Sequence, residues 1–367
     1  MSRSVKQAPS PRTAVKYPGH SPLFVELRRR VDAYFAETGE ERAGGSRILV
    51  KTGVIFAWLL VSYIALVFFA ETWWQVLLLA SSCGLAVAGV GFNVQHDGGH
   101  GAYSSNKKLN ALSALTLDVV GGSSYVWSFK HTILHHHFTN VRGADEDIEA
   151  APFLRLAPGQ KRYWFHRFQH WYAWVLFGFL PPKWAYVDDI KSALTGRVGA
   201  QSIPKPNSRQ MAIMLLGKLI YFGWTLGLPI AVGHSVGAVL GIYAFASLLT
   251  GFTLAVVFQL AHCLEEADFR EIPEAGQKMD RSWAEHQLAT TVDFAPKSRF
   301  LTWYLGGLNF QVEHHLFPRV SHVHYPKLAK IVREVCDEYG TEHRSHERFF
   351  SALASHARHL RNLGRAA

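Results

Sequence analysis

The sequence predicts an all-α integral membrane protein, with four transmembrane helices in two hairpins and a cytoplasmic helical cap that holds a histidine-rich site. Three observations predict this fold class. Hydrophobic residues make up 49% of the 367 residues and charged residues only 18%, whereas soluble domains have roughly 25% charged residues. Four apolar stretches are long enough to cross a bilayer, and histidines cluster between and after these stretches.

The four apolar stretches define the predicted spans. At about 1.5 Å per helical residue, a stretch of about 20 residues covers about 29 Å, which is enough to cross the hydrocarbon. Only two residues separate the first pair of spans and three separate the second pair, so each pair is predicted to form a hairpin. The predicted spans are residues 52–70, 73–92, 211–232 and 236–260.

The distribution of basic residues predicts the orientation. All but one of the 38 Lys and Arg residues lie in residues 1–51, in residues 93–210 or after residue 262. Because short cytoplasmic loops are enriched in Lys and Arg, we expect both termini and the histidine-rich site in the cytoplasm, with the bacterial inner membrane as the location. The exception, Lys218, lies about 10 Å along its span and is expected to snorkel to the cytoplasmic surface. Lining a substrate path is the alternative.

Composition also limits the function. The net charge of +10 comes without any nucleic-acid motif, so no nucleic-acid partner is expected. Three scattered cysteines exclude a disulfide framework and fit a reduced compartment, and no signal peptide is expected. Residues 1–50 predict a flexible tail and then a short helix, either on the membrane surface or solvated. Residues 341–367 predict a basic cytoplasmic tail.

The most unusual motif has four histidines in seven residues. The segment 131–137 is His-Thr-Ile-Leu-His-His-His. On an α-helix, His131 and His135 share a face and His136 is rotated by about 100°. Neutral imidazoles with this spacing can bind one metal ion and reach toward a second. A solvated histidine-rich patch is the alternative.

Further histidines lie on the same predicted side of the membrane. His96 and His100 are four residues apart just after the second span, as ligands on a continuing helix would be, although a pair of surface histidines is also possible. His262 directly follows the fourth span. Together with the histidines of segment 131–137, these three residues make up most of a ligand set for two metal ions. The spacing alone does not identify the metal and allows iron, zinc or manganese. The remaining candidates in the C-terminal segment are Gln311, His314 and His315.

These motifs resemble the three histidine boxes of the membrane fatty acid desaturases. The boxes are His-Asp-Gly-Gly-His at 96–100, His-xxx-His-His at 131–136 and Gln-xx-His-His at 311–315. The third box begins with Gln instead of His, and in this feature the chain resembles the front-end branch of the family. The flanking Gly-Ala-Tyr-Ser, Phe-Thr-Asn and Leu-Phe-Pro sequences agree, and the resemblance covers roughly residues 50–340, so residues 51–340 are the predicted desaturase domain.

The resemblance implies a chemistry. It implies two iron ions bound by the boxes and by His262, with Gln311 binding directly or through water. It also implies O2 as co-substrate, membrane lipids around the site and a fatty acyl substrate carried on coenzyme A, a carrier protein or a lipid. The His-Pro-Gly-Gly haem motif of fused cytochrome b5 domains is absent, so an external ferredoxin or cytochrome b5 is the expected electron donor. Delta-6 desaturation is preferred, with delta-5 and delta-8 as alternatives.

Other polar residues are weaker candidates. We expect some acids to orient the imidazoles, although each is also explained as a solvated or capping acid. His137 exceeds the family pattern and is left out, whereas His20, His234 and the histidines after residue 340 are expected on the surface. The candidate acids are Asp97, Asp118, Asp145, Asp147, Glu265, Asp293 and Glu313. Histidines expected to be ordinary polar residues, with a supporting or head-group role as the alternative, are His166, His170, His286, His322 and His324.

Two other functions are compatible with the same residues. A lipid hydroxylase, a ketolase or a sphingolipid desaturase could use the same metal site. A metal transporter should instead place its ligands near the bilayer midplane, whereas the predicted spans contain no histidine and a single charge, Lys218. The sequence therefore favours an enzyme.

Overall fold

The computed structural model describes residues 16–19, 21–274 and 277–366. The start of the predicted tail at residues 1–15 and the predicted surface residue His20 lie outside these ranges. Among the described residues, four helices are long and apolar enough to cross a membrane, which confirms the four predicted membrane helices. They extend into polar residues, since helical hydrogen bonding does not stop where hydropathy falls. Their bounds are Gly45–Phe68, Trp73–His100, Ser208–Ala231 and Val236–His262.

The remaining chain is mostly helical and has three short strand pairs, of which two connect distant segments and one is a local hairpin. The α-helices in chain order are α1 (Pro22–Thr38), α2 (Gly45–Phe68), α3 (Trp73–Val90), α4 (His96–His100), α5 (Lys107–Ala114), α6 (Thr116–Val119), α7 (Ser124–Trp127), α8 (Gln169–Phe177), α9 (Leu180–Lys183), α10 (Asp189–Thr195), α11 (Ser208–Phe222), α12 (Leu228–Ala231), α13 (Val236–His262), α14 (Trp283–Thr290), α15 (Arg299–Tyr304), α16 (Gln311–Leu316), α17 (Tyr325–Glu338) and α18 (Phe349–Arg365). Wide π-helical turns lie at Gly91–Gln95, Ser128–His135, Trp184–Asp188 and Gly223–Gly227, and 3₁₀ turns at Glu146–Ile148, Trp164–Phe168 and His322–His324.

The fold class needs one correction, because the chain is not purely α-helical. The strands are β1 (Val141–Arg142), β2 (Arg197–Val198), β3 (Gln201–Ser202), β4 (Arg270–Glu271), β5 (Asp293–Phe294) and β6 (Ser345–His346). β1 pairs in parallel with β4 and β5 with β6, while β2 and β3 are antiparallel. Strands of two residues are too short to show an alternation of apolar and polar residues in the sequence. The pairs β1–β4 and β5–β6 connect loops that are distant in the chain.

The second span is the centre of the helix bundle. α3 packs against α2, where the Trp58 indole donates to Ser82 at 2.7 Å, and against α13, where the Thr250 hydroxyl donates to the Gly84 carbonyl at 3.0 Å. A Cβ at Gly84 would lie 2.9 Å from the Ala246 carbonyl oxygen, so glycine permits the close approach of α3 and α13. This packing fixes the positions of the ends of α4 and α13 relative to each other. These ends carry candidate ligands, and we expect them on the cytoplasmic side.

The N-terminal helix is covered by protein. α1 buries Leu23, Leu27, Val31 and Phe35 in one apolar cluster with residues of α17. The spacing of four residues places these side chains on one face. The apolar face therefore packs against the C-terminal segment instead of lying on a bilayer, while the polar face is exposed, as in the alternative of an ordinary solvated helix.

The predicted C-terminal tail is a packed helix over most of its length. α18 buries Ala352, Leu360 and Leu363 and packs against α8 and the 3₁₀ turn Trp164–Phe168. His356 and His359 are buried on the same helix and bond to the carbonyls of Cys263 and Leu156, at 2.7 and 2.8 Å. The expectation of surface histidines after residue 340 is therefore wrong for these two. Their backbone partners offset the cost of burying a polar ring, which allows histidine to occupy core positions.

Lys218 does not snorkel. Its side chain is buried, and its ammonium donates to Asp189 Oδ2 at 2.6 Å and to the Gly121 carbonyl at 2.7 Å. Burial raises the pKa of Asp189 to about 6, although Lys218 opposes this shift. Lys218 therefore forms a buried ion pair with Asp189 of α10 instead of extending to the cytoplasmic surface as predicted.

Candidate metal centre

The first box extends from a membrane-capable helix. α3 continues through the wide turn Gly91–Gln95 into α4, so His96 and His100 lie on one unbroken helix as predicted. Their ring centroids are 4.8 Å apart, and both side chains are buried. The Asn93 amide donates to the carbonyls of Gly89 and Tyr304, each at 2.8 Å, which supports the wide turn from within.

The second box has a different backbone from the predicted α-helix. Residues Ser128–His135 form a π-helical turn, which adds a residue to each turn of the helix. As a result His136 lies as near to His131 as His135 does, with ring centroids 4.9 and 5.1 Å from that of His131. The neighbouring His137 is exposed, in agreement with its exclusion from the predicted set.

The remaining rings arrive from two other segments. α13 ends at His262, and α16 carries His314 and His315, all of which are buried. His262 lies 4.7 Å from the His135 ring and 4.9 Å from the His315 ring. Gln311 begins α16 and is buried three and four residues before the two histidines, so it lies on their side of the helix.

The structure brings all eight predicted histidines together. Their ring nitrogens form overlapping groups in which the candidate ligand atoms lie within 4.8 Å of one another. Since His314 and His315 belong to more than one group, the groups make up a single site with room for more than one ion. The groups are His96, His100, His131 and His314; His135, His262 and His315; and His136, His314 and His315.

The nitrogen atoms fit a metal centre. The Nε2 atoms of His100, His135, His314 and His315, among others in the boxes, are buried without a hydrogen-bond partner. A buried polar atom without a partner costs about 1–3 kcal/mol, a cost that a bound cation removes. Burial lowers the pKa of His136, His314 and His315 well below the usual range, so these rings are neutral and can donate a lone pair.

Three side chains orient the rings. Asp145 accepts from His135 Nδ1 at 2.9 Å, the Gln287 amide oxygen accepts from His315 Nδ1 at 2.9 Å, and the Tyr325 hydroxyl lies 3.1 Å from His314 Nδ1. A proton held at Nδ1 leaves the Nε2 lone pair free for a metal. Burial alone would lower the pKa of His135, but the carboxylates of Asp145 and Asp147 outweigh it and raise that pKa.

The other candidate acids do not contact box rings. Asp97 accepts from the Ser321 hydroxyl and the His322 backbone amide, Asp118 accepts from the Ser124 amide, and Glu265 pairs with Arg358. Asp293 and Glu313 surround His343: burial alone would lower the pKa of His343, but their hydrogen bonds raise it to about 10. His343 is therefore a third exception to the expected surface histidines.

The remaining histidines have structural partners. His286 bonds the Thr139 carbonyl at 2.8 Å and His166 the Pro152 carbonyl at 2.8 Å, as expected for ordinary polar residues. His324 lies 3.3 Å from Glu40, and His170 contacts Trp171.

Sequence reasoning missed Gln287, Thr139 and Tyr325. Thr139 and Asn140 belong to the Phe-Thr-Asn sequence after the second box. The Thr139 hydroxyl lies 3.2 Å from His315 Nδ1, and the Asn140 amide donates to the His262 carbonyl at 2.7 Å. That flanking sequence was the available signal for these two residues, whereas Gln287 and Tyr325 lie outside any quoted motif.

Comparisons with known proteins agree with this geometry. Residues 71–347 match the family described as fatty acid desaturase. The chain is 39% identical over 339 residues to an sn-1 linoleoyl-lipid 6-desaturase of Arthrospira platensis, covering 92% of this chain and 91% of the relative. It is 38% identical to an sn-1 linoleoyl-lipid 6-desaturase of Synechocystis sp., covering 93% and 95%. An acyl-lipid (8-3)-desaturase of Physcomitrium patens is 36% identical, covering 93% and 72%.

Proposed function

This chain belongs to the fatty acid desaturase family, and on that premise we propose that it is a front-end desaturase that introduces a cis double bond at the delta-6 position of a linoleoyl chain. The names of the two cyanobacterial relatives support the position, and Gln311 at the start of the third box supports the front-end branch. The convergence of eight imidazoles in one site, seven of them buried and that of His131 half-buried, supports the oxidative chemistry. Family membership leaves the alternative of a metal transporter without support.

The residues present fit two iron ions. One ion would be held by His96, His100, His131 and His314, and the other by His135, His262 and His315, with His136 between the groups and Gln311 directly or through water. When bound, the ions supply oxygen activation and hydrogen removal from an unactivated methylene, which no side chain can perform.

The protein's own contribution is to orient the ligands and exclude water. Asp145 and Gln287, whose oxygens can only accept, hold the protons of His135 and His315 at Nδ1, so the Nε2 lone pairs face the centre, and Tyr325 orients the ring of His314. The box side chains are almost fully buried, which keeps bulk water from the reacting methylenes.

The substrate and the electron donor complete the proposal. We propose an acyl chain carried on a lipid, as the names of the relatives indicate for those proteins, with the coenzyme A thioester as the alternative. Two electrons must enter for each double bond, and we propose that a separate ferredoxin or cytochrome b5 supplies them. Reconstitution with each purified donor would identify it.

We also propose that the membrane-capable helices form two hairpins in a bacterial inner membrane, with both termini and a helical cap in the cytoplasm. The distribution of Lys and Arg supports this orientation, since the short connection at residues 232–235 carries none. The division at residues 50 and 340 stays a prediction, although α1 and α18 both pack on the central part. Labelling of a single cysteine placed at Ser235 from either side of the membrane tests the orientation.

Expression in a host supplied with linoleate tests the activity. We expect an 18-carbon product with double bonds at positions 6, 9 and 12, located by mass spectrometry after derivatisation of the double bonds. A new double bond at position 5 or 8 would correct the position. A hydroxylated chain or a desaturated sphingoid base, with no new acyl double bond, would contradict acyl desaturation.

Replacing Gln311 tests its place at the edge of the site. Gln311→Ala should lower the rate of desaturation by roughly tenfold, the scale expected for a group that supports a metal ligand. Because the eight imidazoles remain, the iron content measured by elemental analysis should stay close to that of the wild type. Loss of both irons would show that Gln311 is indispensable for holding the pair.

A further inference from the structure

A large open pocket lies beside the metal centre and has no part in the chemistry described above. Its volume is about 850 Å³, within the range of small-molecule sites. The start of α2, the segment 296–303 and α17 form its walls. It adjoins the start of α2, the end of that membrane-capable helix that we expect at the cytoplasmic surface of the bilayer.

The walls of this pocket are strongly basic. Among the described residues that line it, none is Asp or Glu. Arg47 and Lys297 pair with acids outside it, Glu40 at 3.0 Å and Glu347 at 2.6 Å. The buried Nη2 atom of Arg333 has no hydrogen-bond partner. The six cationic residues of the lining are Arg47, Lys51, Lys297, Arg299, Lys330 and Arg333.

Exposed apolar side chains form part of the rim of the pocket. Val50 on α2 and Trp303 on α15 line the pocket and are 68% and 40% exposed, and Phe300, next to Arg299, is 71% exposed. A basic cavity with such a rim suits an amphiphile whose charged head is in the cavity while its chains stay in the bilayer.

The floor of the pocket adjoins the metal centre. His322 lines it and lies 2.9 Å from Lys51 Nζ and 3.0 Å from Asp97, the residue after the ligand candidate His96. Phe310, also in the lining, directly precedes Gln311. A double bond near the carboxyl end of an acyl chain requires the head of the substrate to be close to the metals, and this pocket provides such a place.

We propose that this pocket binds the phosphate-bearing head of the acyl substrate through its arginines and lysines. The inference rests on the proposed desaturase function and adds the chemical class of the head. Arginine and lysine match phosphate oxygens in charge and hydrogen bonding. Either a phosphoglycerolipid or the phosphates of coenzyme A provide this chemistry. A docking site for an acidic electron-transfer protein is a different proposal, which the recessed shape does not favour.

The test removes two cations of the lining that belong to none of the nitrogen groups. Arg299 and Lys330 are exposed and have no ion-pair partner among the described residues, so Arg299→Gln with Lys330→Gln should not disturb folding. The matched control is Lys107→Gln with Lys108→Gln, which removes the same charge from exposed positions outside the pocket. Arg299→Lys with Lys330→Arg keeps the charge and should retain wild-type behaviour.

Kinetics are measured with the full chain in vesicles with saturating electron donor, and linoleoyl chains are presented as phosphatidylglycerol, as coenzyme A thioester or as neutral monogalactosyldiacylglycerol. We expect the charge-removing variant to raise the apparent KM for a phosphate-bearing substrate about tenfold, with kcat within about twofold. A rise confined to one phosphate-bearing substrate identifies the source of the head. An unchanged KM for all three, an equal rise for the galactolipid, or a rise only in the KM for the donor overturns the proposal.

Binding is measured without turnover by native mass spectrometry of the detergent-solubilised chain with added phosphatidylglycerol or coenzyme A. The wild type and the control should retain one of these ligands, and the charge-removing variant should lose it. If the wild type desaturates none of the three substrates, the proposed function fails while this measurement still decides the pocket. Equal retention of both ligands by all variants overturns the pocket assignment alone.

Discussion

Replacing His135 or His314 with Ala is expected to abolish desaturation while the chain remains inserted in the membrane. Each ring belongs to a different nitrogen group, and His314 contributes to two groups, so either change removes a ligand that no neighbouring side chain supplies. We expect product formation to fall at least about 100-fold, beyond the usual effect of changing a residue that only supports a ligand. Product analysis by mass spectrometry and iron analysis of the purified chain measure the two consequences.

His137→Ala is the matched control for these variants. His137 adjoins the second box but is exposed and belongs to none of the nitrogen groups. Its activity and iron content should stay within about twofold of the wild type, since most exposed substitutions have small effects. Near-normal activity in His135→Ala or His314→Ala would reject the ligand assignment, and total loss in His137→Ala would show that the assay reports general damage.

The sequence predicted that the histidines lie close together, because two of the features that position them are local in the chain. Hydropathy locates the ends of the spans, and His96, His100 and His262 lie at those ends. Spacing of four residues within a box places two rings on one helical face. The proximity of the third box to these rings could not be obtained from any local pattern, and there the family resemblance supplied the expectation.

The groups that orient the rings could not be predicted in the same way. Gln287 is 28 residues from His315, and Tyr325 is 11 residues from His314 on another helix, so neither contact leaves a periodic signal. The wide turn at Ser128–His135 was also missed. It changes which histidines are neighbours, and the sequence contains no residue that requires it.

Buried histidines were the commonest error in the sequence-based expectation. His356 and His359 were treated as surface residues because histidine counts as polar in any hydropathy pattern. Both satisfy a ring nitrogen with a backbone carbonyl and pack against aromatic rings, so they behave as core residues. Such a role depends on a carbonyl from a distant segment, and the burial of α18 was missed for the same reason.

Lys218→Met is expected to destabilise the protein by about 3–5 kcal/mol, because it leaves the buried carboxylate of Asp189 without its cation. The apparent Tm in detergent should fall by roughly 5–10 °C, measured by scanning fluorimetry. The double variant Lys218→Met with Asp189→Leu should recover most of this loss, since removing both charges leaves no unpaired ion. A double variant as unstable as the single one would show that the bond from Lys218 to the Gly121 carbonyl dominates.

The dependence of this loss on pH separates an ionic origin from lost packing. Burial raises the folded-state pKa of Asp189 to about 6, so the neutral carboxyl stabilises the fold at low pH and this contribution is lost as the pH rises through 6. Without Lys218 the charged form has no partner, and the difference in Tm between wild type and variant should therefore grow from pH 5 to pH 8. Lys183→Met breaks the exposed pair with Asp188 and should change Tm by no more than about 1–2 °C at any pH. A difference for Lys218→Met that is equally large at pH 5 and pH 8 would assign the effect to lost side-chain packing instead of charge.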